Sequence, residues 1–175
     1  MKATGVIRRI DDLGRIVIPK EIRKTLRVKD GESLEIYLEN DNIVLKKYFP
    51  LEGSKEFYKS YVESINDLIG HCIIMVDRDS IIAVSGEFKK KYTSKKISTF
   101  IDNIIEGRLA VFESDITDLN LSDDLTEKAS YVIAPIITDA DAIGAVIILS
   151  STKKLDEFEE KIAIIAAKFL GKYIE

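Results

Sequence analysis

Cysteine and histidine occur once each in this chain of 175 residues, as Cys72 and His71, and tryptophan does not occur. A single cysteine excludes a disulfide framework within the chain and fits a reducing compartment. One cysteine and one histidine are too few ligands for a zinc site of the usual kind. The two are adjacent at the start of a strand-like run, so their side chains point to opposite faces and cannot share one site. Cys72 reads as a small buried apolar residue. No long apolar run is present: stretches such as Ala142 to Leu149 are far too short to span a bilayer. Met1-Lys2-Ala3-Thr4 leads directly into a strand-like segment, so no secretory leader is expected and the expected location is the cytoplasm. A glycine-rich phosphate loop, an HExxH helix and a nucleophile elbow are all missing, which argues against an enzyme.

What is present is a core-forming, charged composition, 46% hydrophobic and 32% Asp, Glu, Lys and Arg. The net charge of −4 would by itself argue against nucleic acid, but its distribution reverses that. Residues 1–29 carry nine Lys and Arg against three Asp and Glu, a net of +6. Residues 51–175 carry fifteen against twenty-two, a net of −7. A basic head on an acidic body implies two units with different partners, the head being the one able to lie on phosphates. The expected division is a head over 1–50, a short linker over 51–54 marked by Pro50 and Gly53, and a body over 55–175.

In the head, Thr4–Ile10 and Arg15–Ile18 are rich in Val and Ile and predict two strands. Asp11-Asp12-Leu13-Gly14 between them is turn chemistry. Pro19 opens a predicted helix to Leu26, with Ile22 and Leu26 on its apolar face and Lys20, Arg23, Lys24 and Arg27 on a basic one. Ser33–Leu38 and Asn42–Lys47 predict two further strands, joined by Glu39-Asn40-Asp41. A unit of this size is marginal alone and its short strands leave edges open. Both difficulties vanish if two chains share one core, so a dimer is expected at this end.

The run Gly5-Val6-Ile7-Arg8-Arg9-Ile10-Asp11-Asp12-Leu13-Gly14-Arg15-Ile16-Val17-Ile18-Pro19-Lys20-Glu21-Ile22-Arg23-Lys24-Thr25-Leu26 resembles the DNA-binding module of the AbrB family of transition-state regulators. The runs Ser33–Tyr37 and Ile43–Tyr48 continue the resemblance. It implies a swapped-hairpin β-barrel dimer that binds double-stranded DNA, reading shape as much as sequence. Carried over by motif position, the DNA-binding residues would be Arg8, Arg9, Arg15, Arg23 and Lys24. Lysine at Lys24 keeps charge but lacks the guanidinium fork, so it would hold phosphate rather than read a base. Lys20 is a further candidate phosphate contact.

The body opens with an amphipathic helix, Phe57, Tyr58, Tyr61, Val62, Ile65, Leu68 and Ile69 recurring at helical steps, with Ser54 as its expected cap. Strands are predicted over His71–Asp77, Ile81–Ser85 and Leu109–Glu113, and a helix around Ile97–Gly107. Residues 115–130 are expected as a polar, acidic loop or short helix. Lys89-Lys90-Lys91 and Lys95-Lys96 read as a solvated loop. Tyr131–Ile137 and Ile143–Leu149 predict an antiparallel pair. A last helix over Leu155–Tyr173 has one apolar seam (Leu155, Phe158, Ile162, Ile165, Phe169) and a second apolar face (Ile164, Ala166, Leu170), one to cover the sheet and the other free for a partner chain.

The order of these elements, with Tyr131–Ile136 and Ile143–Leu149, resembles a GAF-type sensor domain. The overall fold class is therefore α+β: an AbrB-type head and a GAF-like body of antiparallel sheet with flanking helices. Together with Asp77-Arg78-Asp79, Ala83-Val84-Ser85-Gly86, Glu113-Ser114-Asp115 and Ala134-Pro135-Ile136, the pairing resembles a family of sporulation regulators of spore-forming Firmicutes. It implies a homo-oligomeric, nucleoid-associated regulator of late forespore genes, activating some and repressing others. The body would sense a small molecule, join dimers into a tetramer, or both. No cofactor or metal is implied, and an unidentified ligand would lie under residues 86–130. Two other readings compete: an antitoxin-like autoregulator, disfavoured by the large folded body, and an enzyme in the body, disfavoured by the absence of a catalytic constellation.

Overall fold

The computed structural model describes residues 5–26, 28, 30, 31, 33–48, 51, 55–139 and 141–174. The chain divides into two compact units, Met1–Tyr48 and Phe49–Glu175. Thr4, Arg27, Pro50, Gly53 and Ser54, which entered the expected strand, basic stripe, linker and helix cap, lie outside the described residues.

The first unit holds one short helix, α1 (Lys20–Thr25), and an antiparallel hairpin of β1 (Leu34–Glu39) and β2 (Asn42–Lys47). Glu39 pairs with Asn42, so the turn has two residues rather than the three expected. Asn40 and Asp41 both take positive φ, 45° and 62°, which the twist of a tight hairpin requires and which Asn and Asp tolerate. The segments expected as two further strands carry no ladder: 5–10 and 15–18 are unpaired. A strand is completed by a neighbour, and the described residues of this chain provide them none. Among the described residues of this unit only Pro19 is buried. Ile7 is 95% exposed and Leu38 80%, so the described residues of the unit form no core of their own.

The second unit is a five-stranded antiparallel sheet between two helical layers. Its elements are α2 (Lys55–Ile69), β3 (Cys72–Asp77), β4 (Ile81–Ser85), α3 (Lys89–Tyr92), α4 (Thr99–Gly107), β5 (Val111–Ser122), β6 (Leu125–Thr138), β7 (Asp141–Ser150) and α5 (Glu157–Ile174). The sheet order is β4-β3-β7-β6-β5. Strands β3, β6 and β7 are apolar on both faces, and their period of two sorts the core into two layers. Ile74, Val76, Ile133, Ala145 and Ile147 pack with Tyr92, Ile101 and Ile105 of α3 and α4. Ile73, Met75, Val132, Ala134, Val146 and Ile148 pack with Tyr58 and Val62 of α2 and Ala163, Ala167 and Leu170 of α5.

Local signals fix the helix ends. Ser98 caps α4 by accepting from the Ile101 N–H at 3.2 Å. Before α5, Asp156 accepts from the Phe158 N–H at 2.7 Å while Glu159 accepts from the Asp156 N–H at 2.9 Å, a reciprocal capping box. That box starts α5 at Glu157, two residues later than the expected Leu155, which is itself buried in the core.

Residues 115–130 are neither loop nor short helix. They are the facing ends of β5 and β6, joined through Asp123 and Asp124. Leu119, Leu121 and Ala129 are buried while Asp118, Asn120 and Lys128 are exposed. Asp115, Asp118, Asp123 and Asp124 are exposed on this long hairpin, whereas Glu127, paired with buried Leu119, lies on its core side and is mostly buried. The strand expected over Leu109–Glu113 begins at Val111 and continues to Ser122. Lys89–Lys91 are likewise a helical turn, α3, rather than a loop.

Candidate nucleic-acid interface

The basic residues of the head stand on two local structures. The first is the turn after Ile10. Gly14 donates its N–H to the Asp11 carbonyl at 3.1 Å, and the Asp11 N–H donates to the Arg15 carbonyl at 3.2 Å. Gly14 takes φ of 76°, where a side chain would be strained. The Asp11 carboxylate closes the turn from inside: Oδ1 accepts from the Leu13 N–H at 3.0 Å and the Arg15 N–H at 2.8 Å. Its Oδ2 accepts from Arg15 Nε at 2.7 Å. Those bonds from Arg15, the backbone one foremost and the guanidinium next, hold the Asp11 carboxyl below the usual carboxylate range. Arg8 and Arg9 precede this turn and Arg15 follows it, all three exposed.

The second is α1. Pro19 precedes its first residue with ψ of 145°, and its carbonyl accepts from the Arg23 N–H at 3.0 Å. Lys20 and Lys24 are exposed. Arg23 departs from the expected stripe: it is half-buried, Nη1 donates to Asp30 Oδ1 at 2.5 Å, and Nε is buried without a partner. Its place in the helical order, one turn after Pro19, turns it toward the side of the chain that returns through Val28 and Asp30. Reading charges along the helix placed Arg23 with the free cations. The two acidic partners, Asp11 and Asp30, were not singled out, although an Asp four residues before an Arg across a turn was legible as a pair.

In the body, Cys72 is buried in the core, and burial pushes its thiol up to about 12, so it stays protonated at neutral pH. His71 Nε2 lies 3.6 Å from Glu159 Oε1 at the start of α5. The lysine cluster is partly neutralised: Lys89 Nζ meets Glu63 Oε1 at 2.8 Å, and Lys91 pairs with Glu127. Tyr92 is fully buried beneath that pair and donates its hydroxyl to Glu127 Oε1 at 2.5 Å. Among the described residues no cluster of three His, Cys, Asp or Glu could hold a metal ion.

On the opposite side of the sheet, Tyr61 of α2 donates its hydroxyl to the Ala166 carbonyl of α5 at 3.1 Å. Phe57 stacks on Tyr173 with centroids 4.6 Å apart, and Tyr61 on Phe169 at 5.7 Å. Beside these rings the outer face of α5 leaves Phe158, Ile165, Phe169 and Tyr173 exposed.

A family described as stage V sporulation protein T C-terminal, transcription factor, matches residues 54–175. One described as antidote-toxin recognition MazE, bacterial antitoxin, matches residues 7–49. Stage V sporulation protein T of Bacillus subtilis is 45% identical over 177 residues, covering 100% of this chain and 99% of that protein. The transition state regulatory protein AbrB of the same species is 52% identical over 50 residues, 29% of this chain and 52% of that protein. Among solved structures, the cofactor-binding GAF domain of the nutrient sensor CodY from Clostridium difficile aligns with a TM-score of 0.53 at 12% identity, covering 89% of this chain and 94% of that one. The cyanobacteriochrome receptor PixJ aligns with a TM-score of 0.58 at 16% identity, covering 72% and 97%. At such identities the likeness concerns the fold, and the fold of the body is that of a GAF domain.

Proposed function

The chain belongs to the stage V sporulation protein T family, and on that premise we propose that it is a DNA-binding transcription regulator whose head pairs with a second copy to build the DNA surface. The family is one of transcription factors, and the chain is a regulator rather than an enzyme. The observation that carries the paired head is its exposed apolar residues. Val6, Ile7, Ile10, Ile16, Val17, Ile36 and Leu38 are all exposed in the single chain, beside strand-like segments that have no partner. Two chains exchanging hairpins would bury these residues and complete those ladders. Arg8, Arg9, Arg15, Arg23 and Lys24 would then occur in symmetric sets, with Lys20 as a further phosphate contact.

The targets we propose are late sporulation genes of the forespore, some activated and some repressed. For the body we propose assembly of two dimers into a tetramer, through the face of α2 and α5 that carries the stacked rings and the exposed Phe158 and Ile165. Sensing of a small molecule beneath residues 86–130 is a second role, supported by the GAF fold. It would switch the regulator only if the ligand bound one arrangement of the body better than another.

The head's match to an antitoxin family favours a second reading as a toxin-binding autoregulator. The match of residues 54–175 to a transcription-factor family weighs for the first. Gel-shift or anisotropy titration of Arg15→Ala and Arg23→Ala variants decides the matter for the head. Binding should fall by at least tenfold in Arg15→Ala, since a bidentate arginine contributes about 1–3 kcal/mol of discrimination and occurs twice per dimer, and should also fall in Arg23→Ala. Two variants that bind as the parent does would remove these arginines from the interface.

A further inference from the structure

We propose that Asp11 is a positioning residue for DNA recognition, holding Arg15 through Nε alone so that the paired Nη1 and Nη2 edge of the guanidinium faces outward. The proposal rests on the reading of the head as a DNA-binding surface. A guanidinium has five N–H donors in a rigid fork, and contact with guanine O6 and N7 or with a phosphate uses two donors on one edge. In the free chain Arg15 Nε donates to Asp11 Oδ2 at 2.7 Å, while the side chain remains 70% exposed. The carboxylate therefore occupies the one nitrogen that an outward bidentate contact through the Nη pair does not need.

Asp11 can act as such an anchor because it is itself fixed. Its other oxygen accepts two backbone N–H groups, from Leu13 and Arg15, and its own N–H and carbonyl close the turn with Arg15 and Gly14. Rotation of the carboxylate away from Arg15 would break those turn bonds. An exposed arginine must otherwise be immobilised when DNA arrives; here its orientation is set beforehand. Arg23 is held differently, through Nη1 by Asp30, which uses part of the outward fork, so the arrangement belongs to Arg15.

The sign of the effect separates positioning from simple charge. A carboxylate on a surface that meets a polyanion repels it, so removing the charge alone should tighten binding to any DNA. Positioning predicts the opposite for the preferred sequence. The test uses the full chain, a duplex selected by the parent protein from a random-sequence pool, and a scrambled duplex of equal composition. Asp11→Asn keeps an oxygen for the two turn N–H groups and removes the carboxylate. It should weaken the selected duplex about tenfold while leaving the scrambled duplex equal or tighter. Asp12→Asn, the same charge change without the contact, should leave the ratio of the two affinities unchanged. In an Arg15→Ala background the Asp11→Asn change should no longer lower the ratio.

Parallel shifts on both duplexes, or an unchanged ratio in Asp11→Asn, would overturn the positioning role. If Arg15→Ala itself leaves both affinities at the parent level, or the parent selects no sequence, it is the DNA reading of the head that fails. Should Asp11→Asn not fold, the Arg15 Nε–H resonance of the parent carries the test. Bonded to Asp11, it exchanges slowly with solvent in both the free and the DNA-bound protein. Fast exchange in the bound state overturns the proposal.

Discussion

Gly171 of α5 approaches β6 so closely that a methyl group on it would stand 2.2 Å from the Ile137 carbonyl oxygen. With Ala163, Ala166 and Ala167, this glycine lets α5 lie directly on the sheet, and Leu170 fills the remaining depth. Gly144 plays the same part between strands, where a methyl would stand 2.1 Å from the Val76 carbonyl oxygen. In both places the obstacle is backbone, which cannot rotate away as a side chain can.

Gly171→Ala should therefore destabilise the body by about 3 kcal/mol, a fall in thermal midpoint of roughly 10 °C. Helix propensity alone predicts the reverse sign, a gain of about 1 kcal/mol. Calorimetry of the variant decides between them. A midpoint at or above that of the parent would mean that α5 is not seated against Ile137.

Asp77 gives a pH dependence. It is buried at the end of β3, where Oδ1 accepts from the Asp79 and Ser80 N–H groups at 2.7 and 2.6 Å. Burial outweighs those bonds and raises its carboxyl above the ordinary value of 3.8. The folded state thus holds the proton to higher pH than the unfolded chain does, and this group's contribution to stability falls as pH rises from about that value through the folded pKa. Asp77→Asn keeps an acceptor for both N–H groups and carries no charge. It should melt higher than the parent at pH 7, with the gap narrowing as the pH falls toward 4; a gap that widens toward acid refutes the assignment.

Salt should report the electrostatics of the head. Each phosphate neutralised contributes roughly −0.9 to the log–log slope of affinity against salt. Lys24→Ala, acting once in each protomer of a dimer, should make that slope shallower by about 2, with little change in sequence preference. An unaltered slope would place Lys24 off the phosphates.

A fragment of residues 1–53 should be a folded dimer by light scattering, because its exposed apolar residues find cover only in a second copy. A folded monomer would refute the shared core. The full chain should run as a larger species, and Phe158→Lys with Ile165→Lys should return it to a dimer while DNA binding by the head persists.

Much of the body was legible because its apolar residues follow simple periods. The three- and four-residue steps of Phe57 to Ile69 gave α2, and the apolar run Ile143–Leu149 marked the strand that forms the core of β7. The hairpin over 115–130 was misread because Asp115, Asp118, Asp123, Asp124 and Glu127 dominate its composition, although Leu119, Leu121 and Ala129 obey a period of two. In the head, the residue types of Thr4–Ile10 and Arg15–Ile18 suit strands, but a strand exists only with a neighbour, and the described residues of the single chain offer none.

Local chemistry written along the chain determined the two-unit layout, the turn at Asp11–Gly14 and most helix and strand positions. The tertiary structure decided which apolar face of α5 is core and which is open, because both are hydrophobic and only the small residues Ala163, Ala167 and Gly171 permit contact with the sheet. It also decided that Arg15 and Arg23 meet Asp11 and Asp30, since a side chain's partner depends on where the backbone turns, and charge alone does not specify that.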